Sequence, residues 1–236
     1  MGARGFLLLV CVGVRLFAGS VTGRVELRDS KDSAVRKKMD YSGVVVWLEP
    51  LDGAPALSST VRAKMLQKDK TFTPHVLPVS TGTTVDFPNF DPIFHNAFSN
   101  FDGKVFDVGL YAPGTNRSVH FDRPGVVRVF CNIHAAMSAV ILVLDTPYFA
   151  ATKKDGSLDL GNVPAGNYKL RIFHERATGA ALLGAERRLT ITADALQLPL
   201  ISLSESGYVE APHKNKFGHD YGPDPDDHGV YPAARK

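Results

Sequence analysis

The stretch FCNIHAAM, residues 130–137, spaces a thiol (Cys131), an imidazole (His134) and a thioether (Met137) three residues apart. The apolar runs GVVRVFCNI and SAVILVLDTPYF on either side read as strands. The three side chains therefore hang from one short loop between two strands and can be aimed at one spot. Upstream, DFPNFDPIFHNAFSN follows another strand and supplies a second imidazole, His95, among Phe87, Phe90, Phe94 and Phe98. A thiolate, two imidazoles and a thioether form a soft donor set that suits copper. The thiolate binds strongly and delocalises charge, the imidazoles tolerate both oxidation states, and the thioether favours Cu(I) over an oxygen donor. Aromatic walls would keep water away. Taken singly, each residue has a plainer reading: a small buried hydrophobe, a structural hydrogen bond, a packing side chain. Their coincidence on a strand–loop–strand setting favours a metal. Zinc also accepts cysteine and histidine, but methionine is a poor zinc ligand, so copper is preferred.

The other histidines carry weaker signals. His75 lies on a strand, and His120 and His174 have no evident partner in the sequence. His213, His219 and His228, with Asp220, Asp226 and Asp227, read as solvated residues of a polar tail. The chain has 236 residues, 44% hydrophobic and 22% charged, which is long enough and apolar enough for a real core. Its start, MGARGFLLLVCVGVRLFAGS, has the order of a secretory signal: a basic residue, a short apolar run, then small residues. Arg15 interrupts that run before it reaches the about 20 residues a membrane span needs. Residues 1–20 are therefore expected to be removed on export to the periplasm or outside, with no stable membrane insertion. Of the two cysteines, Cys11 would leave with that segment, and a lone Cys131 cannot form an internal disulfide. The formal charge of +3 falls as Arg4 and Arg15 leave, which gives nucleic-acid binding no support.

Strand signals dominate the rest, with turns between them at many of the 21 Gly and 15 Pro residues. SVTGRVEL, SGVVVWLEP, VLPVSTGTTVDFPNF, GSLDLGNVPAGNYKLRIFHE and ERRLTITA all read as strands or strand pairs. Convincing helices are few: AVRKKM and TADALQL are short candidates that also read as turns. The fold class expected is all-β.

CNIHAAM also has the Cys-x-x-His-x-x-Met spacing of the ligand loop in amicyanin-like cupredoxins, and residues 70–144 resemble a cupredoxin throughout. Within that family the chain most resembles the plastocyanin-like proteins associated with methylamine utilisation. The resemblance implies a Greek-key β-sandwich with one type 1 copper held by His95, Cys131, His134 and Met137. It further implies that Asn96 hydrogen-bonds across to the cysteine loop, and that His134 exposes a ring edge through which the electron passes.

ATKKDGSLDLGNVPAGNYKLRIFHE resembles the transthyretin-like module of carboxypeptidase regulatory domains, and SVTGRVEL and GVVVWLEP look like its opening strands. This implies a second small β-sandwich, split in sequence as residues 21–56 and 148–203, with a cupredoxin of residues 57–147 inserted and an irregular tail of residues 204–236, packed if at all through Tyr208 and Phe217. The function expected is single-electron transfer between redox proteins such as cytochromes or dehydrogenases. A copper carrier or buffer that shuttles no electrons is the alternative. An enzyme is not expected, because the His-x-His clusters and repeated domains of multicopper enzymes are missing from the sequence.

Overall fold

The computed structural model describes residues 18–57, 61–100, 103–209 and 212–222. Most of the expected signal segment lies outside them, as do Cys11, His228, Asp226 and Asp227. The described chain is all-β, with two short helices, and its main sheets form two facing pairs.

In the first pair, the strand Ala18–Arg28 runs antiparallel to Ser157–Pro164 and parallel to Leu196–Gln197 and Ile201–Ser204. Its side chains alternate, so that Val21, Val25 and Leu27 point inward. The facing sheet has the order Phe149–Ala151, Val45–Pro50, Gly166–Phe173, Arg187–Ile191. Val46, Leu48, Leu170 and Ile172 close this core against Val25, Leu158 and Leu160.

In the second pair, Thr83–Pro88 lies between Asn116–Phe121 and Arg62–Lys64. The facing sheet runs Val76–Ser80, Ser138–Leu144, Gly125–Phe130, Phe98–Ser99, Phe106–Asp107. Val85, Phe87, Phe121, Val129 and Ile141 fill this core, and Cys131 and Met137 belong to it.

The two pairs are joined by apolar contact. Alternation explains how: Val46 and Leu48 face one core, while Val45 and Trp47 turn the other way and meet Val76, Val140, Leu142 and Leu144. The strands Val45–Pro50 and Ser138–Leu144 are thus buried on both faces, which is why they read as unbroken apolar runs rather than alternating ones.

Of the two helical candidates, AVRKKM forms the helix Ser33–Lys38, with Asp32 accepting from the Ala34 N–H at its start. TADALQL does not form a helix; Leu196 and Gln197 instead pair with Val21 and Thr22 as an added strand. A second helix, Gly179–Ala185, was not legible because its two glycines weaken helix propensity; Thr178 caps it. No helix among the described residues is long and apolar enough to cross a membrane.

Gly156 makes the turn before Ser157–Pro164 with φ +81°, and a Cβ there would overlap the Val25 carbonyl oxygen. Gly156→Ala should therefore destabilise the fold by about 2 kcal/mol or more. Urea unfolding measures this, and a loss below about 0.5 kcal/mol would contradict the packing described.

Candidate metal centre

Gly125–Phe130 and Ser138–Leu144 pair in register up to Phe130 and Ser138, so the loop between them leaves the sheet with fixed ends. It closes on itself: the Cys131 N–H donates to the Met137 carbonyl at 3.1 Å, and the Met137 N–H donates to the His134 carbonyl at 3.1 Å. Met137 is thereby folded back beside Cys131, and both side chains are fully buried. His95 arrives from the other direction. It pairs with Tyr111 through reciprocal backbone bonds of 3.2 and 2.9 Å, and Tyr111 is anchored by its hydroxyl, which donates to the Phe87 carbonyl at 2.8 Å.

These two supports bring three donor atoms together. His95 Nδ1 lies 3.2 Å from His134 Nδ1 and 4.0 Å from Cys131 Sγ, and His134 Nδ1 lies 3.6 Å from Cys131 Sγ. A point equidistant from all three sits about 2.1 Å from each, matching the ~2.0–2.3 Å of imidazole and thiolate bonds to a first-row metal. Among the described residues this is the only group of three or more such side chains close enough to hold an ion. The donor set and its spacing fit a copper ion.

The protons leave the donor atoms free for such an ion. His95 Nε2–H donates to the Asp91 carboxylate at 2.7 Å, which leaves the Nδ1 lone pair directed at Cys131 and His134. Asp91 is itself held by the backbone N–H groups of Asp69 (2.6 Å) and Lys70 (2.9 Å). Both have positive φ, and they form the tight turn between the paired strands Leu66–Lys68 and Thr71–Thr73. Burial alone would raise the Asp91 pKa, but the Lys70 N–H, His95 and the Asp69 N–H outweigh it and hold the carboxyl below its usual range. The same contest governs Cys131. Burial pushes the thiol up, while contacts with the His134 and His95 rings and the N–H groups of Ile133 and Asn96 bring it down to about 6.

The expected bond from Asn96 to the cysteine loop is present and is made by its backbone N–H, while its side-chain amide donates to Asp107 (2.7 Å) and the Gly109 carbonyl (2.9 Å). Two expectations from the sequence need correction. His134 presents no exposed ring edge, being only 3% exposed. The phenylalanine surround is half as large as expected. Phe87 and Phe98 are buried, but Phe90 and Phe94 are 63% and 39% exposed.

The remaining histidines stand outside the cluster. His75 joins the Ser138 carbonyl (3.0 Å) to Glu175 (2.7 Å), His120 meets the Thr84 hydroxyl, and His174 donates to the buried Glu205 at 2.8 Å. His219 is exposed, whereas His213 lies against the metal loop. Asp91, four residues before His95, was missed in the sequence although a nearby carboxylate is the usual partner of a ligating imidazole. Tyr221 and His213 carried no signal at all.

No family model matches the chain, and no curated protein matches it either. Solved structures similar to parts of it include a copper-containing nitrite reductase from Thermus scotoductus, at 28% identity over 41% of this chain with a TM-score of 0.35. The chain spans a quarter of that protein's length. A purple cupredoxin from Nitrosopumilus maritimus is 24% identical over 35% of this chain and 99% of its own (TM-score 0.32). Amicyanin from Paracoccus versutus is 14% identical over 41% of this chain and 97% of its own (TM-score 0.33).

Two outcomes are expected. Asp91→Ala should weaken copper binding about 10–100-fold in chelator competition, because the imidazole loses its orienting partner; a change below about twofold would mean that Asp91 does not position His95. In the metal-free protein, thiolate absorbance should appear with a midpoint near pH 6. Copper uptake should accordingly be full above that pH and fall as pH drops through it. A midpoint near the ordinary thiol value of about 8.5 would show that the histidines and N–H groups do not stabilise the thiolate.

Proposed function

We propose that this is an exported cupredoxin-type copper protein that passes single electrons between redox protein partners. The metal would be held by His95, Cys131 and His134, with Met137 offering a weaker thioether donor. The observation that carries this reading is the convergence of two imidazole Nδ1 atoms and one sulfur around a point about 2.1 Å from each, within normal bonding distance. A copper ion bound there would supply reversible one-electron chemistry between Cu(I) and Cu(II).

The chain's own residues suit that task. Cys131 is poised to bind as the thiolate, and Asp91 fixes the proton of His95 on the nitrogen that faces away from the cluster. Burial of Cys131, His95, His134 and Met137 keeps water from the donors. The ligand loop is pinned at both ends by a ladder, which limits how far the donors shift when the charge changes. The proposal includes a split outer sandwich of residues 21–56 and 148–203 around an inserted copper-binding sandwich of residues 57–147. In support, each has a core of its own. Cytochromes or dehydrogenases are the partners proposed, and the periplasm or the outside the location.

One observation favours the second reading, a copper carrier or buffer. The His134 ring is buried, so the edge through which such a centre would exchange electrons is covered. Reversibility separates the two. An electron carrier cycles between oxidised and reduced states without losing metal, whereas a buffer holds one state and releases the other.

The copper-loaded, oxidised protein should show an intense visible thiolate-to-copper band. Cys131→Ser should abolish it while leaving the β-fold signature in circular dichroism intact; a coloured serine variant would sink the assignment. Met137→Leu should still bind copper through His95, Cys131 and His134 and raise its reduction potential, since a weak donor to Cu(II) has gone. If the folded leucine variant loses copper altogether, Met137 is a stronger ligand than proposed.

A further inference from the structure

The segment expected to be an irregular tail packs onto the metal loop, although Phe217, one of the two aromatics expected to pack, is 68% exposed. His213 and Tyr221 make the contact. The Tyr221 hydroxyl donates to the Cys131 carbonyl at 2.8 Å, the Lys216 N–H donates to Asn132 Oδ1 at 3.0 Å, and His213 Nε2–H donates to the Ala135 carbonyl at 2.8 Å. These anchors fall on both sides of His134, a residue only 3% exposed. The His213 ring stacks on Phe130, next to Cys131, at 4.0 Å between centroids and 23° between planes. Tyr221 meets His213 edge-on at 5.1 Å, with its hydroxyl 3.2 Å from His213 Nδ1.

The same segment reaches the other half of the site. Lys216 Nζ pairs with Asp107 at 2.7 Å, the carboxylate that also takes the amide proton of Asn96 beside His95. Residues 212–222 therefore contact the Cys131 loop directly and are linked to the His95 loop through Asp107. The segment is organised by its own turn, in which Asn215 Oδ1 accepts from the N–H groups of Phe217 and His219. None of its residues enters a buried core cluster. It is held by a few polar bonds and one ring stack, the kind of attachment that opens locally at far lower cost than the sheets beneath it.

We propose that residues 212–222 form a built-in cap on the metal loop, with His213 and Tyr221 as its positioning residues. The cap must lift before a solute, whether a copper donor, a chelator or a thiol reagent, reaches Cys131 or His134. What the cap guards rests on the metal reading above; that it covers Cys131 does not.

The test uses the full-length protein, metal-free, and follows alkylation of Cys131 by iodoacetamide. His213→Ala removes the stack and the bond to Ala135, and Tyr221→Phe removes the bond to the Cys131 carbonyl. Each should speed alkylation about tenfold or more, with the urea midpoint almost unchanged, because local opening rather than global unfolding limits the reaction. His213→Gln, whose amide can still donate to Ala135, should recover part of the protection. In the copper-loaded protein the same two variants should speed metal removal by EDTA while keeping the visible band. Wild-type alkylation rates in both His213→Ala and Tyr221→Phe would overturn the proposal. Equal acceleration in the Gln and Ala variants together with a lowered urea midpoint would overturn it too, since general destabilisation would then explain the exposure. If copper gives no thiolate band while alkylation responds as described, the cap stands and the metal reading fails.

Discussion

The strand Ser138–Leu144 has no face left to water, and the site depends on that constraint. Ala139, Ile141 and Val143 fill one core, and Val140, Leu142 and Leu144 meet Val45 and Trp47 from the neighbouring sheet. Slipping this strand by one residue would exchange the two sets at once, so its register is fixed from both sides. Because its first residue pairs with Phe130, the register of the strand is also the register of the loop that carries Cys131, His134 and Met137. The position of the sulfur is thus tied to apolar packing along the strand that follows its loop.

Polar contacts then decide the charge state. A buried thiol and a buried carboxyl would each stay neutral if burial alone acted. At Cys131 and Asp91 burial is outweighed by N–H donors and imidazoles already in place. The two sites form a chain: turn N–H groups hold Asp91, Asp91 holds His95, and His95 faces the sulfur. Each link restricts the freedom of the next, so the donors need little rearrangement to receive a metal.

Much of this was legible in the sequence, and the parts that were not share a cause. Alternating and unbroken apolar runs marked the strands, and the three-residue spacing of Cys131, His134 and Met137 marked the loop, because those features are local. His95 was found as the histidine that follows an upstream strand and precedes Asn96, in a phenylalanine surround of which only Phe87 and Phe98 are buried. Asp91 was hidden because its role depends on a turn at Asp69 and Lys70, about twenty residues away in sequence. Tyr221 and His213 were hidden more deeply still. They meet the loop across separations of 90 and 78 residues, in a segment with no apolar period to announce that it packs. Long-range polar docking leaves no pattern in composition.

X-ray absorption at the copper edge, measured on the loaded protein in both oxidation states, tests the central claim most directly. The account expects one sulfur and two imidazole nitrogens at short distance in each state, with only a small change between them. A centre without short sulfur, or one that loses a nitrogen or the metal itself on changing state, would contradict it.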